Sequence, residues 1–239
     1  MNKGLERSSD NYVKVAGVLA KTAQKGFGIN IEPSTKKSWE VTMSVIRLID
    51  TQIDQENNPV KRQAIERQLT DFFEGDGQQT LDLHPLYYEL RDEVRKLPER
   101  QQAYFCRAGR NIFEVSERLK CIKDPNEFAK LTRLEGQITS RLLLAFLPSL
   151  SQTNTQNIRK FTRWCTRLGR FGNLCDSFVD LPDDFRSGEI TIQPSLNNRI
   201  KLATSGVGDF LEVIGLSPRS IFFDLLNRTK ETLENNPNK

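Results

Sequence analysis

The sequence predicts an all-α protein, a single-domain helical bundle that spans residues 1–239. Apolar residues recur at helical spacing along the chain, and no segment shows the alternation that is typical of a strand. Prolines, glycines and capping residues separate the helical segments at short intervals. The chain, with 239 residues, is long enough to bury a substantial core. We therefore expect one bundle of roughly eight to ten helices.

The first part of the chain predicts four helices that end at glycine, proline or asparagine. Residues 26–33 break the chain before the second helix, and Ser34 has a side chain suited to cap that helix. Asparagines and a proline end the second helix at 57–59, and residues 74–79 are expected to form a loop. The predicted helices cover residues 11–25, 35–55, 60–73 and 82–97.

The second part predicts five more helices. Pro98 is expected to start the first of them, since proline is tolerated at the first helical position. Asp124 and Pro125 form a break with capping character, and the polar residues 148–157 form a linker. Residues 187–198 are expected to be extended or looped, and residues 1–10 and 235–239 to fray. The predicted helices begin at residues 99, 126, 158, 200 and 218.

Two aspartate pairs with the same spacing are the main candidates for a functional site. On a helix, steps of four residues stay on one face, so the two carboxylates of each pair project together. Paired carboxylates can hold a hard divalent cation, although in a chain with 28% charged residues each pair alone could also belong to a solvated surface. The pairs are Asp50 and Asp54 in RLIDTQID (residues 47–54), and Asp176 and Asp180 in NLCDSFVDLPDDFRSGEI (residues 173–190).

The helical faces that lead to the two pairs predict a cavity between them. Upstream of the first pair the face is apolar, and upstream of the second it consists of small residues that leave room for a ligand. Asp184 continues the second spacing, but Pro182 is expected to bend or end the helix after Asp180, so the helix does not fix the direction of Asp184. The two faces carry Trp39, Met43 and Ile46, and Thr162, Cys165, Gly169 and Gly172.

The two aspartate motifs resemble those of a known family. RLIDTQID looks like the first aspartate motif of the squalene and phytoene synthases, including Arg47 three residues before Asp50. The run 173–190 is similar to their second motif, and is closer still, without a gap, to that of the tetraprenyl-β-curcumene synthases. Both groups are class I isoprenoid synthases, all-α proteins in which two aspartate-bearing helices face each other across a pocket. One departure is Thr51, where many relatives have a second aspartate in tandem.

The resemblance implies roles for nine side chains and a bound Mg²⁺. The asparagine and the arginines suggested for substrate binding have alternative roles. The asparagine could form a hydrogen bond between helices, and the arginines could be surface charges or pair helices. Phenylalanines at 105, 113, 146 and 178 could line a hydrocarbon pocket or belong to the core. The implied catalytic residues are Asp50, Asp54, Asp176 and Asp180; the implied metal ligands are these four and Asp184; the implied substrate-binding residues are Arg47, Arg170, Asn173 and Arg186.

The function implied by the resemblance is that of a magnesium-dependent class I terpene synthase. It would ionise an allylic prenyl diphosphate to give a linear or cyclic terpene and diphosphate. Head-to-head coupling of two prenyl diphosphates is the alternative within the family, and the gap-free second motif and short chain favour the single-substrate reaction. A non-catalytic helical interaction protein is the alternative of a different class.

Composition argues against several other functions. The net charge of +4 is spread along the chain, so we expect no nucleic acid partner. The mean hydropathy is −0.54, and no apolar run approaches a membrane span, although peripheral membrane contact stays open. The four cysteines form no CxxC motif and His84 is the single histidine, which disfavours zinc and histidine catalysis. The amino terminus lacks a secretory apolar core, so we expect a cytoplasmic protein with reduced thiols; the oligomeric state is not predicted.

Overall fold

Eight α-helices make up most of the part of the chain that the structure, a computed structural model, describes: residues 3–55, 58–74, 83–147 and 155–218, without the side chains of 3–13, 54, 55, 59, 74 and 155. No strand occurs among those residues, and the predicted all-α fold is confirmed. The helices are α1 (Lys3–Phe27), α2 (Pro33–Gln55), α3 (Pro59–Glu74), α4 (Pro85–Arg95), α5 (Glu99–Cys121), α6 (Pro125–Leu144), α7 (Thr155–Ser187) and α8 (Leu196–Leu216).

Several helix boundaries differ from the sequence prediction, among them the starts of α1 and α2, the end of α7, and the start of α8 at Leu196 instead of residue 200. Helix α1 begins at Lys3, so it includes residues that were expected to fray. Helix α2 begins at Pro33, so Ser34 lies in its first turn and is not the N-cap. Helix α7 continues through Pro182 to Ser187, so the expectation that it could end after Asp180 is wrong. The predicted loop after residue 74, most of the linker 148–157 and nearly all of the helix 218–235 lie outside the described residues.

Specific side chains and backbone conformations fix where the helices begin and end. The carboxylate of Asp124 accepts a hydrogen bond from the backbone N–H of Asn126 at 3.1 Å, which confirms its capping role at the start of α6. The hydroxyl of Ser195 caps α8 in the same way. Gly28 and Gly188 follow α1 and α7 with φ of 64° and 78°, the left-handed conformation that glycine adopts without steric cost.

The helices pack around α6, which contacts α2, α5, α7 and α8, while α1 lies against α2 and α7. Where α1, α2 and α7 meet, four aromatic rings form the largest part of the core. Phe161 is at the centre of this group, with ring centroids 5.4 Å from Phe27 and 6.5 Å from Trp39. Trp164 stacks on Phe161 at 6.2 Å. Such ring pairs stabilise the fold beyond the area that they bury.

Helices α6 and α7 cross at Gly136 and Gly169 with their backbones in contact. A Cβ on Gly136 would collide with the carbonyl oxygen of Gly169, and a Cβ on Gly169 would collide with the hydroxyl of Ser140. At the crossing itself, α6 fills the space beside Gly169. Room next to this face of α7 remains in a small cavity that Cys165 and Gly169 line. Farther along α7, Gly172 is exposed and has no neighbour within 4 Å of the position of a Cβ.

We expect Gly136→Ala to destabilise the protein, because the new methyl group meets backbone that cannot move without separating the helices. The free energy of unfolding should fall by about 2 to 3 kcal/mol, the scale of overpacking in a core. Gly172→Ala is the matched control, and should be neutral or should stabilise by up to about 1 kcal/mol through helix propensity. Urea unfolding of both variants measures the difference; equal effects would show that the crossing is not tight.

Asp209 of α8 has a fully buried carboxylate that ties α8 to α6 and α7. Nε of Arg133 donates to Oδ2 at 2.7 Å, and Nη1 of Arg167 donates to Oδ1 at 2.8 Å. Nε of Arg170 lies 3.3 Å from Oδ1. Burial would raise the pKa of Asp209, but these hydrogen bonds and charges outweigh it and hold the pKa below its usual value. We refer to the four residues as the Asp209 cluster.

Asp209→Asn should lower the free energy of unfolding at pH 7 by about 3 kcal/mol, because three partly buried guanidinium groups lose their counter-ion. Since the pKa of Asp209 is lowered on folding, its contribution is complete above the unfolded value of about 3.9 and is lost as the pH falls through the folded value. Urea unfolding of the unmodified protein and of Asp209→Asn should show a smaller difference in the free energy of unfolding in acid than at pH 7. A gap of the same size at both pH values would mean that the charge of Asp209 is not the cause.

Candidate functional site

A cavity of about 450 Å³ lies among α2, α3, α5, α6 and α7, and its wall has an apolar part and a charged part. The apolar part comes mainly from α2, α5 and α6. The charged part comes from α2, α5, α6, α7 and the turn after α7. Apolar lining residues include Met43, Ile46, Ile49, Phe73, Phe105, Ile112, Phe113, Phe128 and Leu142. Charged lining residues are Arg47, Asp50, Arg110, Lys120, Glu135, Asp176, Asp180, Asp184 and Glu189.

The two aspartate motifs contribute to the same cavity. Arg47 and Asp50 line it from α2, and Asp176 and Asp180 line it from α7. The side chain of Asp54 lies outside the described residues. The apolar face that precedes the first motif lies where the sequence suggested, since Met43 and Ile46, on the same side of α2 as Asp50, are lining residues.

Asp184 also lines the cavity. The sequence did not predict the direction of this side chain, because the helix was expected to bend or end at Pro182. Because α7 continues to Ser187, Asp184 is one helical turn beyond Asp180 and its direction is set by the helix. Leu181 is fully buried, and its packing holds α7 in place around the proline. After α7, the N–H of Gly188 bonds to the carbonyl of Phe185 and that of Glu189 to Asp184, a Schellman turn that returns the chain to the cavity.

The carboxyl group of Asp176 has a shifted pKa. Partial burial raises the pKa of Asp176 above its usual value, and the negative charge of Asp180 raises it further. The positive charge of Arg47 acts in the opposite direction. This opposition shows that α2 and α7 interact electrostatically across the cavity, and that the carboxylates of α7 repel each other when no cation lies between them.

Three predicted substrate-binding residues have other partners in the structure. Arg170 belongs to the Asp209 cluster and does not line the cavity. Arg186 is exposed and pairs with Asp183 at 2.9 Å on the outer side of α7. Asn173 does line the cavity, but its Nδ2 donates to the carbonyl of Thr132 and to Oε2 of Glu135, each at 2.9 Å. Its amide therefore joins α7 to α6, which was the alternative role considered for it.

Sequence reasoning missed four charged residues of the site. Arg110 and Lys120 line the cavity from α5, together with Glu135 on α6 and Glu189 after α7. Arg110 and Lys120 flank Phe113 on one side of α5, and this mixture of an aromatic with cations at helical spacing was the available signal. Burial raises the pKa of Glu135, while the hydrogen bond from Asn173 and the charge of Lys120 lower it in part.

The four phenylalanines that were expected either to line a pocket or to form core divide between these roles. Phe105 and Phe113 line the cavity. Phe146 packs behind Phe105, with ring centroids 5.6 Å apart, and Phe178 lies beneath the guanidinium of Arg199 at 4.7 Å. The cavity therefore receives its aromatic residues from α3, α5 and α6, and α7 contributes polar side chains to it.

The lining carboxylates fit magnesium bound together with a phosphate ligand better than magnesium bound alone. Within the described ranges, no three His, Cys, Asp or Glu side chains converge closely enough to hold a metal ion. Magnesium, however, usually keeps several waters and binds through one or two carboxylates plus substrate phosphates. Asp176 and Asp180, one helical turn apart on α7, supply such a pair.

Comparisons with known proteins add no further assignment. Neither the models of protein families, nor the characterised proteins, nor the solved structures contain a match to this chain. The resemblance of the two aspartate motifs thus stays a hypothesis that rests on the residues themselves. Among the described helices, none combines the length and apolar character that crossing a membrane requires.

The pKa of Asp176 should respond in opposite directions to the loss of its two charged neighbours. Asp180→Asn removes a negative charge and should lower the pKa of Asp176, whereas Arg47→Gln removes a positive charge and should raise it. Carboxyl ¹³C chemical shifts followed through a pH titration measure both changes. Asp183→Asn, an exposed neighbour paired with Arg186, is the control and should leave the pKa unchanged. An unchanged pKa in Arg47→Gln would refute the interaction across the cavity.

Proposed function

We propose that the protein is a magnesium-dependent class I terpene synthase, which ionises an allylic prenyl diphosphate and releases a linear or cyclic terpene and diphosphate. One observation carries the proposal. Side chains of both aspartate motifs line a single cavity, and the remainder of its wall is largely apolar. An amphiphile with a highly charged head and a hydrocarbon chain matches this division of the wall.

The head of such a substrate would lie at the charged part of the cavity. Arg47, Arg110 and Lys120 approach it from α2 and α5 and could donate hydrogen bonds to phosphate oxygens. Asp50 and the carboxylates of α7 would hold Mg²⁺, which when bound supplies Lewis acidity towards the leaving diphosphate. Positive charge from both sources would stabilise the negative charge that the diphosphate gains as it departs.

The hydrocarbon chain would lie against the apolar part. In the reaction, the bond between C1 of the prenyl chain and the diphosphate oxygen breaks, and its electron pair leaves with the diphosphate. The allylic cation that results, with or without prior ring closure, then gives up a proton to an oxygen of the released diphosphate, and the electron pair of the broken C–H bond forms an alkene. Phe105, Phe113 and Phe128 would keep water away from the cation, since water would otherwise capture it as an alcohol.

Removal of single carboxylates should abolish most product formation. We expect Asp50→Asn and Asp176→Asn each to slow turnover by about 10²-fold or more, the effect of removing one preorganised charged group from a transition state. Asparagine keeps the size of the side chain, so the fold should persist. The measurement is incubation with C10 to C25 prenyl diphosphates and Mg²⁺, followed by analysis of the organic layer.

Asp183→Asn is the matched control for these variants, because Asp183 is on the same helix next to Asp184 but is exposed and outside the cavity. Its turnover should equal that of the unmodified protein. Turnover like that of the unmodified protein in both Asp50→Asn and Asp176→Asn would remove the proposed mechanism. The same product analysis separates the coupling alternative, since head-to-head condensation doubles the carbon number of the substrate.

A non-catalytic interaction protein is the second candidate, and one surface favours it. Helix α8 presents a row of exposed apolar side chains at helical spacing, among which Leu196 is 76% and Leu211 60% exposed. An interaction protein would yield no product from any prenyl diphosphate while remaining folded. It would also tolerate Asp50→Asn and Asp176→Asn without loss of partner binding.

A further inference from the structure

A second cavity, of about 190 Å³, lies next to the main one, among α1, α2, α6 and α7. The two cavities share three lining residues, Met43, Thr139 and Asn173. These three side chains are therefore common to the walls of both spaces. Met43 is the most adaptable of them, because an unbranched thioether side chain can change rotamer at little cost.

The wall of the second cavity is suited to an apolar occupant. It includes Leu19, Leu144 and Leu168, besides Met43. Its polar groups already have partners within the protein. Nε1 of Trp39 donates to the carbonyl of Leu143 at 2.7 Å, and the hydroxyl of Ser140 donates to that of Gly136 at 2.9 Å. Val15, which is 42% exposed, also lines this cavity, so it opens towards solvent beside α1. A hydrocarbon would bind there because it removes apolar surface from water.

We propose that the second cavity holds the distal end of a long hydrocarbon chain whose anionic head lies at the charged part of the main cavity. The ligand class is a linear amphiphile with a phosphate-type head, and the inference rests on the proposed function for the position of that head. Together the two cavities form one site that is charged at one end and apolar at the other. Met43 and Thr139 form the neck through which the chain passes.

The volumes indicate which chains need the second cavity. A 150 Å³ apolar cavity accommodates benzene, so on that scale the main cavity holds roughly 15 carbons with the head, and the second adds roughly seven. Chains of up to about 15 carbons would stay within the main cavity. Longer chains would bind well only if the neck opens and the second cavity receives their last carbons.

The tryptophans of the chain can report on occupancy of the second cavity without any turnover. Trp39 lines this cavity, and Trp164 stacks on Phe161, which lines it as well. These are the two tryptophans of the sequence. A bromine atom on the last carbon of an alkyl phosphate quenches tryptophan fluorescence only at short range. Quenching should therefore appear when the chain is long enough to enter the second cavity.

The test uses ω-bromoalkyl phosphates of about 12 and 20 carbons, a length below and a length above the capacity of the main cavity. We expect the longer probe to quench strongly and the shorter one weakly. Leu168→Phe fills the second cavity, and should weaken binding of the longer probe by about tenfold or more, as a misfitting apolar group does, with the shorter probe unaffected. Leu134→Phe, on the exposed side of α6, is the control and should change neither.

Several results would overturn the inference. It is wrong if the longer probe fails to quench, or if Leu168→Phe leaves binding of both probes unchanged or weakens both equally. Circular dichroism establishes whether the variants fold. If Leu168→Phe does not fold, Leu144→Phe at the end of α6 replaces it, because it fills the same cavity. Binding is measured without turnover, so length-dependent quenching by a protein that forms no terpene would reject the proposed enzyme and retain the binding site. Terpene formation from a C25 prenyl diphosphate that is indifferent to Leu168→Phe would reject the inference and retain the proposed enzyme.

Discussion

The close crossing of α6 and α7 is the constraint on which the rest of the structure depends. Two helices can meet backbone to backbone only where both lack a side chain, and Gly136 and Gly169 meet this condition. One turn beyond Gly169, Asn173 donates to the carbonyl of Thr132 and to Glu135, and this fixes α7 against rotation. The carboxylate of Asp176 follows within the next turn. The geometry of the charged wall is thus decided by two glycines that touch no ligand.

Helix α7 carries charges of opposite sign on different sides. Arg167 and Arg170 reach Asp209 on α8, while Asp176 and Asp180 line the cavity. A separation of six residues places Arg170 roughly 120° around the helix from Asp176, so the two side chains cannot serve the same space. The arginines neutralise a buried carboxylate on α8. Burial and the negative charge of Asp180 raise the pKa of Asp176, and the positive charge of Arg47 acts against this rise.

The sequence predicted the features that depend on local periodicity. A spacing of four residues places Asp176 and Asp180 on one face whatever the fold, and both do line one cavity. It could not predict features that depend on distant partners. Arg170 is directed by Asp209, 39 residues later in the chain, and the packing of Leu181 carries α7 past Pro182. Lys120 is part of the site because of how α5 docks, which its own periodicity does not specify.

The charge distribution of the cavity links cation and anion binding, if the proposed function holds. The carboxylates of α7 repel each other and attract a cation, while Arg47 and the cations of α5 attract phosphate. A cation alone would face those positive charges, and a phosphate group alone would face the carboxylates. Bound together, each compensates the repulsion that the other would experience, so each increases the affinity for its partner by the same factor. Under the proposed function, a wall with mixed charge would therefore favour a metal-bound phosphate ligand over either component, and the apolar remainder of the cavity would favour the hydrocarbon chain that this ligand carries.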